Sequence, residues 1–403
     1  MINRFPLATD SFSEQERCAV DEVMKSGRYT MGEKVQEFEK AFADWVGAKH
    51  AVMVNSGSSA NLLLVASMLY NSHGSLWERG DEVLVPALSW PTTVWPLAQL
   101  GLVPVFVDID PNTLAIDLKS AQKALSAKTK GMFLIHVLGL SAQMDEVQSF
   151  CKTHNLVLLE DCCESFGSYF NQKHVGTFGK AGTFSHFFSH HLTTMEGGTL
   201  VTDDSDLAND WRSLRAHGWT RDRTDKETWH QKHPELDPRF HFILPGFNLR
   251  PMEVQAALGL VQLSRVELFL NQRDQVANCV FETTQTIPWL KMIGSEYRSN
   301  SSNDRRQRRH SWMNISFRLK ENAPMSCEQV KAQLESQGVE TRPIIAGNLT
   351  KHPACDRIEK RIVEDLSESD RLLESGFMIG CNPENSHSES LATLEKAFKS
   401  LEP

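Results

Sequence analysis

No apolar run in this 403-residue chain approaches the ~18 residues of a membrane span. No Cys-x-x-Cys pair occurs among its eight cysteines, so neither a zinc site nor a thioredoxin-like site is signalled. Only Cys162 and Cys163 are close in sequence, and adjacent residues make poor disulfide partners. A basic excess is also missing. The 42 Lys and Arg stand against 51 Asp and Glu, a formal net charge of −9, which argues against a dedicated nucleic-acid or anionic-membrane binder. Residues 1–10 lack a charged-then-apolar signal pattern, so the expected location is the cytoplasm. No internal repeat or low-complexity segment is visible. What remains is ordinary for a globular protein: 40% apolar and 23% charged residues, with length for two or three domains at ~150 residues each.

Up to Pro251 the chain alternates short buried runs with amphipathic segments. Strands are expected at 50–55, 82–86, 103–108, 131–137, 156–160, 183–188 and 198–202, and helices at 60–70, 92–100 and 142–154. That alternation implies crossover units, an α/β class and a mainly parallel sheet, with ligands at the carboxyl ends of the strands. After Pro251 one long helix, 252–272, is expected to bridge out of the first domain. Residues 300–310 are polar and contain Arg-Arg-Gln-Arg-Arg, which reads as a solvated loop. A strand at 312–319 and helices at 327–337 and 391–401 suggest a smaller α+β domain. The expected division is 1–265, large and ligand-binding, and 266–403, small.

Three segments carry candidate chemistry. Asn55-Ser-Gly-Ser-Ser-Ala-Asn61 joins a strand to a helix, where amides and hydroxyls can cradle a phosphate, although serine caps open many helices. Leu158-Leu-Glu-Asp161 ends a buried strand with two acids, and a buried carboxylate needs a cationic or hydrogen-bonding partner; the protonated ring nitrogen of pyridoxal phosphate is one such partner, and a structural aspartate is the plainer reading. Trp90, in Ser89-Trp90-Pro-Thr-Thr, is either a stacking platform for a flat cofactor or a core residue.

Taken with Thr30-Met-Gly, Ser185, Glu196-Gly-Gly198, Phe247-Asn-Leu-Arg250 and Thr341-Arg-Pro343, these segments resemble, in order and spacing, the DegT/DnrJ/StrS sugar aminotransferase family. The resemblance covers nearly the whole chain. It implies the fold-type I architecture of pyridoxal-phosphate enzymes, with a mainly parallel large domain and a smaller α+β C-terminal domain. It also implies that Gly57, Ser58 and Ser185 bind the cofactor phosphate, that Trp90 stacks on the ring and that Asp161 pairs with its nitrogen. Asn248 would reach the phosphate of a neighbouring subunit, so a homodimer with shared sites is expected.

One departure decides the reaction. The family's Schiff-base lysine stands five residues after the phosphate-binding serine and six before Glu-Gly-Gly, and that position here is His190. Imidazole cannot tether the cofactor but can take and return a proton near neutral pH. Lys180 precedes Ser185 and lies on the wrong side to substitute. A second departure is Glu164, where the aminotransferases usually carry glutamine. Both changes resemble the family's sugar 3-dehydratase subgroup, as do Asn348 and His217-Gly-Trp-Thr-Arg221, whose His217 and Arg221 would lie near substrate. One branch of that subgroup needs a [2Fe–2S] cluster on four cysteines. This chain has none from 164 to 278, so no iron–sulfur cluster is expected.

The cluster-free branch implies 3-dehydration of a nucleotide-linked 4-keto-6-deoxyhexose, with GDP-4-keto-6-deoxy-D-mannose favoured. L-Glutamate would convert pyridoxal 5′-phosphate to pyridoxamine 5′-phosphate. His190 would be the base, and Glu164 would sit near the cofactor and steer protonation. This chemistry belongs to dideoxysugar biosynthesis for lipopolysaccharide O-antigen. The competing readings are a nucleotide-sugar aminotransferase and a non-catalytic cofactor-binding relative. A metal site on His186, His190 and His191 lacks a supporting acid or cysteine, so no metal is expected.

Overall fold

The computed structural model describes residues 5–298 and 308–402. Its strands are β1 His50–Val54, β2 Glu82–Pro86, β3 Val103–Val107, β4 Thr129–Ile135, β5 Val157–Asp161, β6 Tyr169–Phe170, β7 Lys173–His174, β8 Ala181–Ser185, β9 Gly198–Thr202, β10 Leu290–Met292, β11 Arg308–Arg309, β12 Asn314–Leu319, β13 Thr341–Arg342, β14 Arg361–Ile362 and β15 Gly376–Gly380. Eight of them form one sheet in the order β1-β9-β8-β5-β4-β2-β3-β14, in which β9 alone runs against the others. The helices Gly57–Leu69, Pro91–Gln99, Met144–Thr153 and Ser205–Leu214 cover it. Because both faces are covered, β2 and β3 are buried at every position, as continuous apolar strands require.

The helix Glu253–Thr284 has 32 residues and runs unbroken through position 265. Its later turns, through Val276, Ala277 and Val280, enter a second core with Ile315, Phe317, Phe377 and Phe398. That core lies under the four-stranded antiparallel sheet β10-β12-β15-β13. Phe5 belongs to the same core and bridges Val339, so the N-terminal segment packs on the C-terminal half.

Several sequence expectations need correction. The strand expected to reach 188 stops at Ser185, because the Phe187 amide donates to Ser185 Oγ (3.3 Å) and turns the chain. The strand expected from 312 begins at Asn314, since Trp312 has φ 51°. Not all the chain after 266 belongs to the small sheet: β14 pairs in parallel with β3, and Arg361 reaches Glu82 Oε2 at 2.6 Å. Most of the basic stretch lies outside the described residues, but its end is no solvated loop. Arg308–Arg309 pair with β6, and the buried Arg309 meets Asp274 at 3.1 Å and Glu267 at 3.2 Å.

One buried ion pair joins the helix Glu33–Val46 to the sheet. Glu39 accepts from the Met53 amide (2.8 Å) and from Arg215, whose guanidinium also donates to the Met53 carbonyl (2.7 Å). Glu39→Ala leaves that guanidinium buried without its counter-charge. The expected loss is about 3–5 kcal/mol of stability, read from the midpoint of chemical denaturation.

Candidate functional site

Four loops meet at the carboxyl edge of the large sheet around a cavity of about 420 Å³. After β1, Ser56 caps the next helix by accepting from the Ser59 amide at 3.0 Å. The first amides of that helix, Gly57 and Ser58, have no partner within it, and both residues line the cavity. A Cβ on Gly57 would sit 2.5 Å from Ser185 Cβ, so glycine lets the helix start approach β8. After β2, Trp90 precedes Pro91 at the first helical position, which suits proline's fixed φ. Its indole is 55% exposed and lines the cavity, so it is not a core residue.

Asp161 ends β5, buried. Its Oδ2 accepts from Asn61 Nδ2 and from Thr93 Oγ1, each at 2.7 Å, and its Oδ1 from the Cys163 amide at 3.0 Å. Asn61 is itself held by Thr183 Oγ1 at 2.6 Å. Among the described residues these neutral donors are the carboxylate's partners, and no cation is paired with it. The neighbouring Glu160 is saturated by His136 and the Gly176, Phe178 and Gly179 amides. His136, Glu160 and Cys162 place ligand-type atoms within 4.8 Å of one another, but Glu160 already has its full set of donors.

Glu164 accepts from the Leu138 amide at 3.0 Å. Burial outweighs that hydrogen bond, and with the nearby Asp161 charge it pushes the carboxyl up to about 7. Beyond β8, Ser185, Ser189 and His190 line the cavity, and the His190 amide donates to the Phe187 carbonyl at 3.0 Å. Burial, then the Arg273 charge, lower the His190 imidazole to about 3, so it is neutral at neutral pH and a weaker base than the free imidazole the sequence led us to expect. Its Nδ1 is buried and has no hydrogen-bond partner among the described residues. Met313 and Ile345 close the cavity from the C-terminal half. Among the described residues, no lysine lines it. Lys180 pairs instead with Asp204 at 2.6 Å.

A profile of the DegT/DnrJ/EryC1/StrS aminotransferase family matches residues 10–394. The chain belongs to that family. Similar relatives are the GDP-4-keto-6-deoxy-D-mannose 3-dehydratases of Escherichia coli O55:H7 and Yersinia pseudotuberculosis. The first is 38% identical over 94% of this chain and 95% of the relative, and the second 37% over 99% of both. A crystal structure of GDP-4-keto-6-deoxymannose-3-dehydratase with a trapped PLP-glutamate geminal diamine aligns with TM-score 0.88 and 34% identity, covering 98% of this chain and all of the other. The Helicobacter pylori aminotransferase PseC, 22% identical with TM-score 0.85, shares the fold.

Within this family member, Gly57, Ser58, Trp90, Asp161, Glu164, Ser185 and His190 are thus brought together. Asn248, His217 and Arg221 are not: all three are exposed and none lines the cavity of its own chain. Asn348 is buried elsewhere, donating to Asp370 at 2.6 Å. His186 and His191 turn away from His190, to Thr199 Oγ1 (2.7 Å) and the Ser311 carbonyl (3.0 Å). The sequence reading overlooked Asn61 and Thr93 as partners of Asp161, although both lie inside segments it singled out. Met313 and Ile345 carried no local signal, since they come from distant parts of the chain.

The folded chain favours the protonated Glu164 carboxyl, so it binds more protons than the unfolded chain between pH 4.5 and about 7, and stability falls as pH rises through that window. Glu164→Gln, which can still accept from Leu138, is expected to exceed the parent by up to about 3 kcal/mol at about pH 8 and to match it below the window. Urea denaturation of the cofactor-free protein at both pH values reads this difference.

Proposed function

We propose that this chain is a pyridoxal/pyridoxamine-phosphate-dependent lyase that removes the C3 hydroxyl of a nucleotide-linked 4-keto-6-deoxyhexose, GDP-4-keto-6-deoxy-D-mannose being favoured, with L-glutamate as amino donor. The observation that carries this reading is His190 in a cavity that, among the described residues, has no lysine and also holds Gly57, Ser58, Trp90, Asp161 and Ser185. The relatives' names support it. So does the solved histidine-to-asparagine variant of the 3-dehydratase with bound GDP-perosamine, which is 34% identical. A further variant of that enzyme replaces a consecutive serine and histidine. Here Ser189-His190 is the consecutive pair of which both members line the cavity.

The residues fit the cofactor. Gly57 is cut back where a Cβ would block the approach of Ser185, and the free amides of Gly57 and Ser58 with the Ser185 hydroxyl suit a phosphate. Asp161, whose partners among the described residues are neutral, would hold a proton on the ring nitrogen, and Trp90 would cover a ring face. The bound cofactor supplies an electron sink that lets the C3–O bond break. His190 would be the group that takes up a proton beside the cofactor and delivers one to the departing hydroxyl. Glu164 stands beside Asp161 as a carboxyl able to give or accept a proton near neutrality.

We further propose a homodimer. The His217 amide donates to the Phe247 carbonyl (2.6 Å) and Ala216 bridges Asn248, so a second copy that presents Asn248 to this cavity presents His217 and, four residues on, Arg221 with it. No helix among the described residues is long and apolar enough to cross a membrane, and we place the enzyme in the cytoplasm, in dideoxysugar synthesis for surface polysaccharide.

Incubation with glutamate and a panel of nucleotide 4-keto-6-deoxy sugars tests the reading by mass analysis. Loss of water with the ketone retained is expected, and an amino-sugar product would overturn it. Borohydride is expected to leave the parent free of covalently fixed cofactor, while His190→Lys gains that adduct. His190→Ala should lose about 10²–10⁴-fold in turnover with the cofactor still bound, as absorbance titration reads.

A further inference from the structure

His190 and Glu164 sit on different loops, one after β8 and one after β5, and the Glu164 carboxyl is held by a third, the turn Val137–Gly139. Residues 310–313 hydrogen-bond to both sides. On one side the Ser311 amide donates to the Gly139 carbonyl (3.1 Å) and the Met313 amide to the Leu138 carbonyl (3.0 Å). Ser168 Oγ tightens this edge, lying 2.6 Å from the Gly139 carbonyl and 2.7 Å from Ser311 Oγ. Gly139 has no room for a side chain, because a Cβ would meet Ser311 Oγ and the Trp312 amide at 2.7 Å. On the other side the Ser311 carbonyl accepts from His191 Nε2 at 3.0 Å, which requires the proton on that nitrogen. His191 and Ser311 are 2% and 1% exposed, so water does not compete for this bond.

The segment is anchored from behind. Arg273, buried on the long helix, donates to the carbonyls of Trp312 (3.0 Å), Met313 (2.9 Å) and Cys381 (2.6 Å). Trp312, at φ 51°, lies flat against His310, with ring centroids 3.6 Å apart. A bulky residue with positive φ is strained, and such strain persists only where its surroundings over-determine it. From His190 to Glu164 the path therefore runs through the adjacent His191, the Ser311 peptide and the 137–139 turn, with hydrogen bonds of 3.0–3.1 Å after the first covalent link.

We infer that His191 is a positioning residue, whose bond to the Ser311 carbonyl fixes the His190 imidazole relative to the Glu164 carboxyl. This rests on the functional reading above, in which those two groups handle protons. A side chain that holds a base in register acts on the chemical step more than on binding, and a misplacement of about 1 Å can cost about 10²-fold.

Two variants test it in the holoenzyme. His191→Phe keeps a ring and removes the donor, and His191→Gln restores an amide donor that can reach Ser311. For His191→Phe, kcat with the sugar is expected to fall about 10- to 100-fold with KM within about threefold, and the rate of the glutamate half-reaction to fall by a similar factor. Cofactor titration should match the parent, and His191→Gln should recover most of kcat. An unchanged kcat in His191→Phe overturns the inference. So does a loss that His191→Gln fails to restore, or one matched by weaker cofactor binding and a lowered melting temperature. If the parent does not dehydrate the sugar, the functional reading falls, and His191 is then judged on the glutamate half-reaction, which draws on the same His190.

Discussion

A carboxylate taken out of water must recover its lost hydration from fixed donors, and Asp161 does so by drawing three parts of the sheet edge together. Asn61 comes from the helix after β1, Thr93 from the helix after β2, and the Cys163 amide from the turn after β5 itself. Thr183 on β8 adds a fourth by fixing the Asn61 amide. The floor of the cavity is thus one hydrogen-bonded unit, and the positions of Gly57, Trp90 and Ser185 follow from where these elements are pinned. None of its members carries a positive charge, so the unit is complete as a scaffold while its central charge stays available to a cationic ring.

On the function proposed above, imidazole in place of an amine at residue 190 changes the chemistry of the same scaffold. An amine there would compete for the cofactor's carbonyl carbon, whereas an imidazole kept neutral by burial and by Arg273 would be left with proton transfer. Glu164, on the same cavity, is pushed in the opposite direction to about 7, so the two groups differ in proton affinity.

How much of this was legible in the sequence depends on how local each feature is. The cradle at 55–61, the acid pair at the end of β5 and the Ser185–His190 spacing are short-range patterns, and residues 56–58, Asp161, Ser185 and His190 from them line one cavity. What could not be read depends on backbone conformation or on distant pairing. The Leu138 amide reaches Glu164 because Leu138 adopts φ 51°, which no residue preference announces. The two-residue strand β14 has no periodicity to detect, and Arg309 is buried because Asp274 waits on the long helix. Asn248, His217 and Arg221 are exposed and lie outside their own chain's cavity, a placement the family resemblance implies for Asn248 and no local pattern announces for the other two.

The pairing of β14 with β3 has a mechanical side. The C-terminal half is joined to the large sheet by the long helix, by β14 with its Arg361–Glu82 contact, and by residues 310–313 along the 137–139 turn. Phe5 ties the N-terminal segment to it as well. A body attached at several separated points cannot swing about a single pivot without breaking hydrogen bonds at the others. The cavity walls are therefore braced before any ligand arrives, and binding spends little free energy on closing them.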